Sequence, residues 1–528
     1  TAGGAGTNLG LPLDNNGIVK AWSGALVMSD GSHTNGTFDT AAGCTLEIAG
    51  TFNGTCTTQG AGTVSIVGTP VVANGATLNM ANVSMNGGWI QGPAAGSAIA
   101  NISGLVTFNG GVWRRNLTVN LLSTSTTNVT GAAGAFVNAA SVVNANSATF
   151  QISPGSVFGV DSGGVLTNNG TLQLAGDVII TSDGVATPRI VNNSLLEKTA
   201  GAGIARIASQ LDNNGTGTIA VTSGQLAANG GGTNSGTINI VAATNEFVVE
   251  SNAYTLAAGT TLGIAHLGWF RIAGGTLNTT AVLTLKFVHL SSGTLRGSNL
   301  IINNGLKWNS GTILGPGTTT IANTASVDLA NLTGTALLDN RTIQNDGAVT
   351  YNAGAFGLDF TNGAIWNNNS GASFTITGNG AVGSLTGINT FNNLTGGSLS
   401  KTAGASGTRF DVVLTNDGSI DSNSAGGTII INGGGSMTGG SMTTSNAAAL
   451  LHFFGGTFTV TGGTFTGTGK TAIVGGTLQV NAIVNATTTF EVNSGILDVS
   501  APNTFQITSL EWNGGTIQCT GTTRVSGG

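Results

Sequence analysis

Short runs of alternating character return along this chain at a nearly fixed interval. Thr63-Val64-Ser65-Ile66-Val67, Thr171-Leu172-Gln173-Leu174, Thr237-Ile238-Asn239-Ile240 and Thr457-Phe458-Thr459-Val460 set apolar side chains at every second position. That is the period of a strand with one buried face. Between such runs stand Asn-Gly, Asp-Gly, Gly-Gly and Ser-Gly, as at Asn168-Asn169-Gly170, Asn213-Asn214-Gly215 and Asn303-Asn304-Gly305. These residues tolerate the backbone of tight turns. The Thr that opens a Gly-Thr-Leu/Ile run falls at 171, 218, 237, 276, 294 and 312. The longer gaps are near double the shorter ones, which sets a unit of about 18–23 residues, the period of a solenoid. Such a unit holds three short strands and three turns. The expected fold is therefore all-β, a parallel β-helix (β-solenoid) of three sheets, right-handed by the general preference of parallel crossovers.

Composition agrees with stacking. Only 7% of the 528 residues are charged, against roughly 25% in an average domain. Parallel in-register coils place like residues above one another, so charges repel their own copies, whereas Asn and aliphatic residues form ladders. With 15 Lys+Arg and a net charge of −6 the chain lacks the broad basic face of a nucleic-acid binder, and no nucleic-acid partner is expected. No apolar run reaches 18 residues, so no transmembrane segment is expected. The opening TAGGAGTN carries no signal segment and reads as a mature or internal piece of a longer precursor.

A longer repeat overlies the short one. Leu306-Lys-Trp-Asn-Ser-Gly-Thr-Ile313 returns as Leu510-Glu-Trp-Asn-Gly-Gly-Thr-Ile517, and Leu196-Glu-Lys-Thr-Ala-Gly-Ala202 as Leu399-Ser-Lys-Thr-Ala-Gly-Ala405. Arg206 then aligns with Arg409, and Leu211-x-Asn213 with Leu414-x-Asn416. The chain divides into atypical coils over 1–84, super-repeats over 85–305 and 306–509, and the start of a third over 510–528. A stop in mid-repeat, with no polar cap in sight, is expected of a segment of a larger repetitive protein or of a subunit that stacks on its own copies.

The stretches LKWNSGTILGPGTTTIA (306–322), LLDNRTIQNDGAVTY (337–351) and LSKTAGASGTRFDVVLTNDGSI (399–420) resemble the β-strand-repeat regions of giant bacterial surface and secreted proteins. Such regions look like the passengers of autotransporters and of filamentous-haemagglutinin-type adhesins. The resemblance implies a secreted β-solenoid used as stalk, adhesin shaft or filament.

Candidate functional residues are few. Polysaccharide-degrading enzymes on β-helices gather several carboxylates, or a metal and a basic residue, on one face. Here no Asp-x-Asp pair occurs, and His33, His266, His289 and His452 are scattered. No catalytic residue, cofactor or metal site is expected, and Asp183, Asp346 and Asp417 read as turn residues. Cys44 and Cys56, 12 residues apart, fit either a local disulfide in an oxidising compartment or two small buried thiols. Cys519 is left over and is expected in the core. Lys198 and Lys401, with Arg206 and Arg409, hold equivalent places in the super-repeat. They read as solvated turn cations, paired with a neighbour such as Asp411, or as a repeated ligand or subunit contact. Trp308 and Trp512 are equivalent too, and fit packing at a coil corner or an exposed row that stacks on sugars. The rows Thr457-x-Thr459-x-Thr461 and Thr464-x-Thr466-x-Thr468 are similar to those of ice-binding solenoids.

These features together point to a non-enzymatic extracellular or cell-surface scaffold. Its expected partners are copies of itself, the rest of a larger repetitive chain, or cell-surface glycans. The rival readings are a glycan- or ice-binding module and a polysaccharide-degrading enzyme on the same scaffold.

Overall fold

A computed structural model describes residues 6–527. The fold is all-β, with no helix among the described residues, and its parallel strands stack in coils of about 22 residues as a β-solenoid. The chain divides into two compact units, residues 1–270 and 271–528.

In the first unit strands pair in parallel from coil to coil, every third strand in its regular part. Ser141–Asn144 lies beside Val165–Asn168, which lies beside Arg189–Asn192, then Gln210–Asn213, then Gly232–Asn234. A second series runs through Thr149–Ile152, Thr171–Leu174, Leu195–Lys198, Thr218–Val221 and Thr237–Ile240. The 47-residue spacing between Thr171 and Thr218 is thus two coils, with Leu195 between them. Three strands per coil satisfy each backbone group from the coils on either side. The second unit repeats the plan. Thr342–Asn345, Ile365–Asn368, Thr390–Asn393 and Val413–Asn416 form one of its series.

Most strands are four residues long with alternating burial, as in Thr171–Leu174, where Leu172 and Leu174 point inward. Their stacked Leu, Ile, Val and Phe side chains fill each unit's core. Phe391 packs in parallel on Trp366 of the preceding coil, interplanar angle 4°, and meets Phe410 edge-on. Aromatic pairs of these geometries add to simple area burial.

Glycine is required where one coil nearly touches the next. Gly232 (φ +132°) pairs with Leu211, and a β-carbon there would lie 2.0 Å from the Leu211 carbonyl oxygen. Gly435 (φ +142°), 203 residues on, repeats the arrangement at 1.9 Å from the Leu414 oxygen. No other residue fits such a position without displacing backbone.

Candidate functional site

The super-repeat lysines are not solvated turn cations. Alternation fixes their direction. In Leu195–Lys198 the burial reads half-buried, buried, half-buried, buried, and Ser398–Lys401 repeats it. Both lysines are therefore carried inward two residues after a core leucine, and both have 0% exposure. Lys198 Nζ donates to the Ala200 and Gly201 carbonyls, each at 2.8 Å, and to Asp177 Oδ1 at 2.9 Å. Lys401 Nζ donates to the carbonyls of Gly378, at 2.5 Å, and Ala403, at 3.1 Å, to Thr408 Oγ1 at 3.2 Å and to Asn379 Oδ1 at 3.3 Å. Each ammonium thus closes a turn whose carbonyls have no strand partner. The hydrogen bond from Lys198 holds the Asp177 carboxyl below its ordinary value. Lys401 lacks a carboxylate, and burial pushes it down to about 8.

The aligned arginines stay at the surface with different partners. Arg206 stands beside Ala227, whose small side chain lets the guanidinium reach past it to Glu250. Nε and Nη2 bind the two carboxylate oxygens at 2.8 and 3.0 Å. Arg409 pairs with Asp411 at 2.8 Å, and Asn432 donates to the same carboxylate.

Trp308 is fully buried between Leu283–Gly297 and Ser326–Leu329, and its indole N–H donates to the Gly311 carbonyl at 3.2 Å. Trp512 pairs with Val492 and is 62% exposed. The two do not form a row.

Cys44 and Cys56 are both buried with free thiols. Cys44 precedes Thr45–Glu47, while Cys56 belongs to Thr55–Gln59, two strands further round the coil. Cys56 Sγ points to the His33 and Asn53 carbonyls instead. Cys519 is exposed, contrary to its expected place in the core. His33 is buried between Phe38 and Phe52, and burial lowers its affinity for a proton. Asp183 receives the N–H groups of Ser162 and Val185, and Asp346 receives the Asn369 amide, so both brace turns. Thr457 and Thr459 are followed in register by Thr477 and Gln479, which ends the Thr-x-Thr pattern after one coil.

Sequence reasoning placed Asn at turns but did not foresee how far inside it sits. Asn144, Asn168, Asn192, Asn213 and Asn234 are all buried. Each amide nitrogen donates to the next amide oxygen, at 2.7, 2.7, 2.6 and 2.6 Å. Asn345, Asn368, Asn393 and Asn416 form a second ladder at 2.8, 2.9 and 2.8 Å. Chained amide dipoles of one polarity strengthen one another in a low dielectric. Arg341 is a further buried cation, held by the carbonyls of Gly297 and Ser298, both at 2.9 Å, and by Thr319 Oγ1 at 2.8 Å. Burial lowers it to about 10.

No group of three or more His, Cys, Asp or Glu able to hold a metal ion occurs among the described residues. A surface hollow of about 500 Å³ crosses turns at Gly96, Asn116, Ala139 and Ser162, and no titratable side chain lines it. No protein-family model matches the chain, and no curated protein matches it.

Proposed function

We propose that this chain is a non-enzymatic structural element of an extracellular or cell-surface assembly, a stiff shaft of the kind used as stalk, surface layer, adhesin shaft or filament. The observation that carries the reading is the use of its buried cations and stacked buried asparagines. Lys198, Lys401, Arg341 and the two asparagine ladders are all spent on neighbouring coils and turns. A repeat chain built this way gains length and stiffness, because each coil contacts only its neighbours. The resemblance of residues 306–322, 337–351 and 399–420 to bacterial β-strand-repeat regions supports an extracellular, bacterial setting. The partners that fit are copies of the chain itself, in lateral or end-to-end contact.

Two measurements test this. Incubation with a panel of plant, algal and bacterial polysaccharides is expected to release no new reducing ends. Digestion with a broad-specificity protease is expected to leave the coils intact for hours. Turnover abolished by changing a single carboxylate would replace the scaffold with an enzyme, and rapid digestion throughout would remove the stiff shaft.

A further inference from the structure

One outward face of the first unit brings an exposed tryptophan and an arginine together in register. Parallel register stacks Trp89 on Val112 and Val112 on Phe136. The same register stacks Gln91 on Arg114 and Arg114 on Asn138. An apolar column thus runs beside a column of planar hydrogen-bonding groups. Trp89 is 39% exposed although tryptophan is scarce here. Phe136 has glycine on either side: a β-carbon at Gly134 or Gly159 would lie 2.5 or 2.4 Å from its ring. The ring occupies space that only glycine leaves open.

Arg114 is held in place without a counter-ion. Nε and Nη2 donate to the Gln91 amide oxygen at 3.0 and 2.6 Å, and the guanidinium lies 3.8 Å from the Trp89 ring centroid. Arg115 follows it in the turn. Neither arginine makes an ion pair among the described residues. Partial desolvation and the neighbouring Arg115 charge lower the Arg114 proton affinity, as expected of two cations with no acid between them. One coil beyond Asn138 the column turns acidic with Asp161, whose oxygen accepts the Asp183 N–H at 3.0 Å. The two cations therefore lie in one coil, with a neutral amide stacked in the coil on either side.

We propose that Trp89, Gln91, Arg114, Phe136 and Asn138 form a binding face for an acidic polysaccharide. Sugar rings present C–H groups that stack on aromatic faces, and planar guanidinium and amide groups bridge neighbouring hydroxyls. Trp89 and Phe136 are two coils apart, about 10 Å at roughly 4.8 Å per strand, close to the length of a disaccharide in an extended β-1,4-linked chain. The unpaired Arg114 and Arg115 supply complementary charge for a uronate carboxylate, and Asp161 limits the bound segment to about three sugars. The proposal stands apart from the scaffold reading, since a shaft remains a shaft with or without this face.

Calorimetric titration of the full chain with a β-1,4-linked mannuronate hexamer, and with the neutral glucose hexamer of the same linkage, decides it. The expected result is saturable uronate binding, at least tenfold stronger than neutral binding and weakened at high salt. Trp89→Ala and Arg114→Gln should each lower the affinity about tenfold with an unchanged far-ultraviolet circular dichroism spectrum. Arg114→Lys should recover part of the loss, because it keeps the charge without the planar fork. Should Trp89→Ala misfold, Gln91→Ala, which frees Arg114 without touching the ring, is expected to weaken binding severalfold. Absence of binding at millimolar sugar, equal affinity for both hexamers, or uronate affinity indifferent to Arg114→Gln would each overturn the proposal.

Discussion

Lys401 Nζ lies 3.3 Å from the amide oxygen of Asn379, in the place where Lys198 Nζ lies 2.9 Å from a carboxylate oxygen of Asp177. Two further contacts of the sockets correspond. Ala403 and Ala200 offer their carbonyls two residues past each lysine. The Asn379 oxygen accepts the Ser406 N–H and an Asp177 oxygen accepts the Gly203 N–H. One super-repeat therefore neutralises its buried ammonium and the other solvates it with neutral dipoles alone. An uncompensated buried charge is costly, and burial pushes Lys401 down to about 8.

Replacing Asn379 with Asp should restore the missing charge. In the unfolded chain a lysine holds its proton to about pH 10.4, whereas folded Lys401 releases it near 8. Between these values the unfolded state binds more protons, so the Lys401 contribution to stability improves as pH rises from about 8 to 10, and the penalty is fully present at pH 7. Asn379→Asp is expected to flatten that rise and to add about 1 kcal/mol at pH 7. Unfolding midpoints of both proteins between pH 7 and 10 check this, and parallel pH profiles would count against it.

The opposite change tests the other socket. The Asp177 carboxyl is held low by the hydrogen bond from Lys198. Its stabilising contribution is present above the unfolded carboxylate value of about 3.9 and is lost as pH falls further. Asp177→Asn should therefore destabilise the first unit at neutral pH, by an amount that shrinks as the pH falls below about 3.9. Acid titration of the two proteins, followed by circular dichroism, should show their midpoints converging at low pH.

Much of this architecture was legible because in-register stacking turns structure into sequence periodicity. The coil length, the turn asparagines and the core aliphatics all follow from it. The burial of Lys198 and Lys401 was legible in principle, from the parity of Leu196-x-Lys198 and Leu399-x-Lys401, but a charge normally argues for solvent and hides the signal. The Arg206–Glu250 and Arg341 contacts span two coils, 44 residues, and no short motif carries that information.

The asparagine ladder should be most sensitive in its middle. Asn368→Leu removes an acceptor from Asn345 and a donor from Asn393, leaving two buried amide groups unsatisfied. At roughly 1–3 kcal/mol for each unmade bond, the loss should be about 4 kcal/mol. Asn144 stands at the end of its ladder, against Leu121, and its oxygen has no partner. Asn144→Leu is therefore expected to cost less than half as much. Amide hydrogen exchange in Ile365–Asn368 and Ser141–Asn144 measures the local loss, and equal losses would mean that the ladder does not act as a chain.

The equivalent tryptophans separate packing from sequence position. Truncating Trp308 empties a fully enclosed volume and removes the bond to Gly311, so Trp308→Ala should cost about 3–5 kcal/mol. Trp512→Ala removes a side chain that is mostly in water and should change stability by less than about 0.5 kcal/mol. Denaturant midpoints give both values, and acrylamide should quench the fluorescence of Trp512 but not of Trp308.

The three cysteines predict a two-step labelling pattern. Cys519 is exposed, and Cys44 and Cys56 are buried free thiols. A thiol reacts through its thiolate, which needs access to the reagent. In the native protein a maleimide should therefore add to one cysteine, Cys519, within minutes. Unfolding in guanidinium, without any reductant, should expose Cys44 and Cys56 and bring the count to three. Burial rather than bonding is what protects them, so adding reductant before unfolding should change neither count. Peptide mass mapping after each step identifies the labelled sites. A count that stays at one in guanidinium and reaches three only after reduction would establish a Cys44–Cys56 bridge and overturn the assignment of two buried thiols.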